Sequence, residues 1–125
     1  MKLLIVDDSL AHRKRLIRAL RETGLEFSAI FEASDGLEAL ALVSKNRPDL
    51  IILDINMPKL DGMKFLVTLR RTYSSAQVKV IVLTAQGGKT TEEAAQRAGA
   101  DGFFTKPYVA EDLAKKASEL LGVAP

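Results

Sequence analysis

The chain shows two patterns of hydrophobic and polar residues, one typical of strands and the other typical of helices. Short, nearly continuous apolar runs are typical of strands buried on both faces of a parallel sheet. Four such runs predict strands buried on both faces, and a weaker fifth run predicts an edge strand. They span residues 3–6, 50–53, 78–83 and 103–104, with the weaker run at 27–33.

Apolar residues spaced three or four apart, with charged residues opposite, predict amphipathic helices between these runs. In the first helix Arg13 falls on the apolar side, so we expect its guanidinium to extend outward to water. In the second, Leu37, Ala39, Leu40 and Val43 are the expected apolar residues. The five predicted helices span residues 10–23, 35–47, 61–73, 90–98 and 109–121.

Local signals indicate where some of these helices begin and end. Thr90 and Glu93 have the spacing of a capping box, which places the start of the fourth helix at Thr90. Gly24 and Gly99 are typical helix stops, and Pro48 ends the second helix. Five strand–helix alternations with short connections predict one α/β domain, in which helices cover both faces of an open parallel sheet.

Composition narrows the chemistry that this domain can perform. The 125 residues include no cysteine, which excludes thiol chemistry, and a single histidine, His12, which excludes a His-rich metal site. His12 is therefore expected to be a partly exposed helix residue rather than a ligand. The net charge of +2 is small, and the basic residues between 13 and 21 are expected to form a solvated helix face. No apolar stretch approaches the length of a membrane span.

Polar residues with reactive side chains follow four of the predicted strands. Asp7 and Asp8 follow the first strand, Asp54 the third, Thr84 the fourth and Lys106 the fifth. In open α/β sheets ligands bind outside the carboxyl ends of the strands, so these residues are expected to share one site. Each has an ordinary structural explanation when taken alone, such as a helix cap or a surface lysine, and only their convergence indicates function.

Three neighbouring carboxylates raise the pKa of at least one of them unless a cation enters. Oxygen ligands suit Mg²⁺, and one divalent ion with the Lys106 ammonium would neutralise three aspartates. Asp54 ends a buried strand and is the candidate nucleophile for phosphoryl transfer. The Thr84 hydroxyl and backbone N–H groups near Ala85 are candidate donors to a phosphoryl oxygen.

Four segments in this order resemble the receiver domains of two-component response regulators. They are IVDDS at residues 5–9, LDINMPKLDGM at 53–63, VLTA at 82–85 and TKP at 105–107. The resemblance covers residues 1 to 122. It implies a CheY-like, flavodoxin-like (βα)5 fold with strand order 2-1-3-4-5. It also implies a single receiver domain over residues 1–125 without an output domain, acting in the cytoplasm as a signalling switch rather than an enzyme.

The resemblance also implies a role for each site residue. Asp54 accepts a phosphoryl group from a sensor histidine kinase, a histidine phosphotransfer protein or a small phosphodonor. The Mg²⁺ ligands are Asp8, Asp54, the Asn56 main-chain carbonyl and, through water, Asp7. Phosphoryl contacts come from Thr84, the Ala85 backbone and Lys106, whose bond to Pro107 is expected to be cis. Asn56 and Gln86 are expected to tune hydrolysis of the phosphoryl group.

The same resemblance implies a switch from the site to a distant surface. Movement of Thr84 toward the phosphoryl group frees space into which Phe103 turns. Because Phe103 lacks a tyrosine hydroxyl, this coupling is expected to depend on packing. The output surface is the fourth helix, fifth strand and fifth helix, which would bind a downstream protein or a second phosphorylated copy.

Two other functions and one other context remain open at this stage. An aspartyl-phosphate-forming hydrolase usually has a second aspartate two residues after its nucleophile, where this chain has Asn56. A flavin-binding electron carrier would need a phosphate-binding loop after the first strand. This chain has Asp7 and Asp8 there, and their negative charges would repel phosphate. The chain is alternatively a receiver excised from a larger regulator. Direct binding to nucleic acid or to a membrane is not expected.

Overall fold

A five-stranded parallel sheet with helices on both faces forms the molecule. The structure is a computed structural model and describes residues 1–57 and 60–123. The strands are β1 (Lys2–Val6), β2 (Ala29–Ala33), β3 (Leu50–Asp54), β4 (Lys79–Thr84) and β5 (Gly102–Thr105). The helices are α1 (Leu10–Glu22), α2 (Gly36–Asn46), α3 (Gly62–Thr72), α4 (Lys89–Ala98) and α5 (Ala110–Leu121). The predicted elements are confirmed, with bounds that differ by one or two residues at most of the ends.

The strands lie in the order β2-β1-β3-β4-β5, which confirms the predicted sheet. All four pairings are parallel, and Val6 pairs with Leu53 while Asp54 pairs with Leu83. The carboxyl ends of β1, β3 and β4 therefore align at one edge. The connection that leaves β1 leads to β2 on one side, and the connection that leaves β3 leads to β4 on the other side, so a crevice opens between the carboxyl ends of β1 and β3.

Side-chain alternation divides the core into two layers. One layer packs the sheet against α2, α3 and α4, and it includes Leu53, Val82, Leu66 and Ala95. The other packs the opposite sheet face against α1 and α5, and it includes Ile5, Ile52, Leu16 and Leu113. The central strand β3 is buried along its whole length, as its continuous apolar run predicted.

Several local predictions are wrong. α4 begins at Lys89, its N-cap is Gly88 and no side chain caps it, so Thr90 and Glu93 do not form a capping box. Leu37 is 83% exposed because it lies on the outer side of α2. Arg13 does not extend to water, since its side chain is only 12% exposed and pairs with Glu32 of β2. A two-residue antiparallel pair, Asn56–Met57 with Leu60–Asp61, had no strand signal.

Among the described residues, none of the helices has the length and apolar character that crossing a membrane requires.

Candidate functional site

The strand register places two aspartates on the same face of the sheet. Leu3 and Ile5 of β1 and Leu50 and Ile52 of β3 belong to the layer covered by α1 and α5. Alternation carries this face two residues further to Asp7 and to Asp54. The backbone N–H of Asp7 still donates to the Ala33 carbonyl at 3.0 Å, so the strand geometry persists to that position.

Burial distinguishes this edge from the rest of the surface. Among the described residues the buried polar side chains are Asp7, Asp54, Thr84 and Ser118, with exposed fractions of 7%, 5%, 0% and 5%. Three of these four lie at the carboxyl ends of neighbouring strands. Buried carboxylates are costly unless they are paired or coordinate a cation, so this concentration indicates a site rather than chance.

Lys106 provides one cation. Its Nζ lies 2.6 Å from Oδ2 of Asp54, and the two side chains are 25% and 6% exposed. The backbone N–H of Lys106 donates to the Thr84 carbonyl at 2.7 Å, which extends the β5 ladder and fixes where the side chain begins. The Lys106–Pro107 peptide bond is cis, as expected. Asp54 and Lys106, which the sequence analysis expected at one edge of the sheet, are therefore in contact.

In the part of the chain that the structure describes, the Asp7 carboxylate has no cation as close as Lys106 is to Asp54. Its Oδ1 accepts a hydrogen bond from the Ser9 backbone N–H at 2.8 Å. Burial raises the pKa of Asp7, and the nearby Asp54 charge raises it further, against the opposing effects of Ser9, Lys106 and His12. This direction matches the sequence-based expectation for converging carboxylates. Counting only the described residues, the carboxylates of the site outnumber its cations, and carboxylate oxygens are the ligands that a hard divalent ion prefers.

His12 lies beside these carboxylates, which the sequence reasoning did not predict. Its ring is 48% exposed, as expected, but its Nδ1 is 3.6 Å from Oδ2 of Asp7. Among the described residues, Asp7, His12 and Asp54 form the group whose potential metal-ligating atoms all lie within 4.8 Å of one another. Asp8 is exposed and lies outside that group. The signal for His12 was its position in the first turn of α1, which covers the same sheet face.

Arg13 braces the loop that carries Asp7. Its Nη1 donates to the Asp7 carbonyl at 2.5 Å and its Nε donates to Glu32 at 3.0 Å. Lys14 donates to the other oxygen of Glu32 at 2.6 Å. These bonds join α1 to the ends of β1 and β2. Sequence pattern could not find them because the partners are distant in the chain.

Thr84 and Phe103 lie on the other face of the sheet. Val82 pairs with Phe103 and Thr84 with Thr105, so all four side chains point to the α4 side. The Gln86 backbone N–H donates to Oγ1 of Thr84 at 3.1 Å, and this hydroxyl also lies 3.3 Å from the Gln86 carbonyl. Ala85 and Gln86 are both exposed at the rim of the crevice.

Phe103 lines a cavity of about 270 Å³ between α4, β5 and α5. It is half-buried and also packs against the core layer that contains Val82 and Ala95. The cavity gives this ring space beside it on the predicted output surface. The Asn56 side chain, Pro58 and Lys59 lie outside the described part of the chain, so the predicted tuning role of Asn56 is left as a prediction.

Comparison with known proteins gives one consistent family. The response regulator receiver domain family matches residues 3–118. The response regulator MprA of a Mycobacterium species (strain KMS) is 38% identical over 121 residues, covering 97% of this chain and 50% of that protein. The chain thus spans about half the length of the curated relatives it matches.

Solved structures agree with the sequence comparison. The receiver domain of the Francisella response regulator 1452 is 30% identical with a TM-score of 0.84, covering 97% of this chain and 96% of that one. The Vibrio cholerae chemotaxis protein CheY4 is 33% identical with a TM-score of 0.80, covering 95% and 97%. Both similarities cover nearly the full length of this chain.

Proposed function

Because the chain belongs to the response regulator receiver domain family, we propose that it is a phosphorylation-controlled switch in which Asp54 accepts the phosphoryl group. The observation that carries this proposal is the 2.6 Å ion pair between Lys106 and the buried Asp54, at the edge where Asp7 also lies. An ammonium at this distance holds one carboxylate oxygen and can follow the charge as it moves to a phosphoryl oxygen.

The proposed donor is the phosphohistidine of a sensor histidine kinase or of a histidine phosphotransfer protein. An Asp54 carboxylate oxygen attacks phosphorus, the P–N bond breaks and the departing imidazole nitrogen keeps the bonding pair and takes a proton. The product is a mixed anhydride on Asp54, so the chain is altered in the reaction instead of turning over a substrate. Such a donor also implies a cytoplasmic location.

The residues at this edge fit a Mg²⁺ ion. Asp7, Asp8, Asp54 and the Asn56 main-chain carbonyl would hold it, with Asp7 acting through water. Excess negative charge supports this assignment, since burial and Asp54 raise the pKa of Asp7. When bound, Mg²⁺ supplies charge neutralisation for the transferring phosphoryl oxygens. Lys106, the Thr84 hydroxyl and the Ala85 backbone N–H would contact the same oxygens.

The proposed relay starts at Thr84. Its hydroxyl contacts the Gln86 backbone in this structure, so contact with a phosphoryl group would compete with those bonds. Thr84 and Phe103 share one face of the sheet, and Phe103 has a cavity beside it. Movement of Thr84 would therefore change the packing of Phe103 on the surface formed by α4, β5 and α5. A downstream protein or a second phosphorylated copy would bind that surface.

Intact-mass spectrometry with acetyl phosphate and Mg²⁺ tests the acceptor. We expect one added phosphoryl group on the unmodified chain and none on Asp54→Asn. Asp112→Asn is the matched control because Asp112 is an exposed carboxylate in the first turn of α5 and does not belong to the group formed by Asp7, His12 and Asp54, and this variant should be phosphorylated normally. An adduct that survives Asp54→Asn would overturn the proposal. Gln86→Ala is expected to change the decay rate of the adduct without preventing its formation.

A further inference from the structure

We propose that His12, Asp7 and Asp54 form a nitrogen-containing site for a borderline transition-metal dication such as Zn²⁺. The inference rests on the proposed function because it uses two of the carboxylates assigned there to Mg²⁺. Since both ions would need Asp54, they would compete. The proposed site uses His12, which is the single histidine of the chain.

The geometry brings one nitrogen and two oxygens to a common centre. Bonds of about 2.1 Å in a tetrahedral site place neighbouring ligand atoms about 3.4 Å apart. His12 Nδ1 is already 3.6 Å from Oδ2 of Asp7, and the group with Asp54 spans no more than 4.8 Å. Small rotations of half-exposed His12 would suffice to close the site.

The fold fixes where the imidazole is. Ser9 caps α1 by accepting from the His12 backbone N–H at 3.2 Å, so the first turn of the helix begins next to Asp7. Asp7, His12 and Lys106 also line one cavity of about 490 Å³. This cavity leaves room for water beside Asp7 and His12.

The ligand chemistry selects the ion. Imidazole suits zinc and nickel, whereas Mg²⁺ prefers oxygen. Lys106 lies 2.6 Å from Oδ2 of Asp54, and an ionised carboxylate can bind more than one cationic partner through its two oxygens. His12 should therefore strengthen Zn²⁺ binding while changing Mg²⁺ binding little.

Two measurements on the untagged, unphosphorylated chain test this inference. Nitrogen-15 NMR of the single imidazole should show a shifted ring nitrogen with Zn²⁺ and an unchanged one with Mg²⁺. Calorimetry should show that His12→Gln lowers the affinity for Zn²⁺ by at least about tenfold, which is the usual loss when a metal site loses a supporting group. Mg²⁺ affinity should change by less than about twofold, since oxygen ligands dominate its binding.

Arg15→Gln is the matched control because Arg15 lines the same cavity without being a ligand. It should change both affinities by the same factor. Equal Zn²⁺ affinity in the unmodified chain and in His12→Gln, or an unshifted imidazole nitrogen, would overturn the inference alone. If Asp54→Asn leaves the affinities for both ions unchanged, the inference and the proposed Mg²⁺ site both fail.

Discussion

Glu32 is the anion that holds two cations of α1 against the sheet. It pairs with Arg13 at 3.0 Å and with Lys14 at 2.6 Å, and its side chain is 23% exposed. Burial by itself would raise the pKa of Glu32, but hydrogen bonds from Lys14 and Arg13 outweigh it and lower the pKa below its ordinary value of 4.5. The ionised carboxylate is therefore more stable in the folded chain than in the unfolded chain.

The lowered pKa of Glu32 determines how the effect of replacing this residue depends on pH. The stabilisation is fully present above pH 4.5 and is lost as pH falls through the lower folded value. Glu32→Gln should therefore lower the free energy of unfolding by about 1 kcal/mol near neutral pH, after allowing for solvent screening. The difference from the unmodified chain should shrink in the acid range.

Urea unfolding at neutral and acid pH measures this effect. Glu26→Gln is the control because Glu26 is exposed and belongs to no ion pair among the described residues. It should change stability little at either pH. An equal loss for Glu32→Gln at both pH values would show that the lost contact is not that of an ionised carboxylate.

Single residues were predictable where their partners follow from strand order. Asp54 and Lys106 were expected to meet because both follow strands, and they do. Arg13 was mispredicted because its partner Glu32 lies on β2, and local periodicity carries no information about that contact. His12 was assigned no partner for the same reason, although Asp7 is its neighbour.

At the scale of elements, Gly62 sets how closely α3 approaches the end of β3. A Cβ at this buried position would lie 2.8 Å from both Cα and Cγ2 of Ile55. Ile55 has little freedom to move, since its backbone N–H donates to the Leu83 carbonyl at 3.1 Å. The glycine is therefore needed for this close approach of α3 to the end of β3.

Gly62→Ala should therefore destabilise the fold by about 1–3 kcal/mol, the usual cost of overpacking. Gly102→Ala is the control because its nearest contacts, at 3.2 Å to Ile81 and 3.3 Å to Lys116, are with side chains. Thermal or urea unfolding of both variants gives the comparison. A larger loss for Gly102→Ala would contradict the assignment.

Element type was easier to predict than element boundary. Apolar periodicity located all five helices, because packing against the sheet requires it. The start of α4 was mispredicted because Gly88 precedes the first turn while the apparent capping residues lie inside the helix. The short pairing of residues 56–57 with 60–61 forms within a loop and has no hydrophobic pattern of its own.

At the scale of the whole molecule, Arg70 joins three segments at the end of the sheet opposite the site. From α3 it donates to the Gly99 carbonyl at 2.9 Å, to the Val78 carbonyl at 2.7 Å and to Asp101 at 2.9 Å. Its side chain is 13% exposed. Burial lowers the pKa of Arg70, an effect that Asp101 partly offsets.

Arg70→Met should cost about 3 kcal/mol, because it leaves Asp101 and two carbonyls without the guanidinium. Arg71→Met is the matched control, since Arg71 is adjacent and exposed, and it should change stability by less than about 0.5 kcal/mol. Urea unfolding of the two variants gives the difference. Equal losses would mean that this network does not hold α3 and α4 to the sheet.

The site couples to global stability through the cation it is proposed to bind. A ligand that binds only the folded chain stabilises it by about 2.7 kcal/mol at one hundred times its dissociation constant. Added Mg²⁺ should therefore raise the unfolding midpoint, and a chelator should reverse the rise. Asp54→Asn should abolish the effect, whereas Asp112→Asn should retain it because Asp112 does not belong to the group of potential metal ligands that contains Asp7 and Asp54. A midpoint that rises equally in all three proteins would mean that Mg²⁺ acts elsewhere on the molecule.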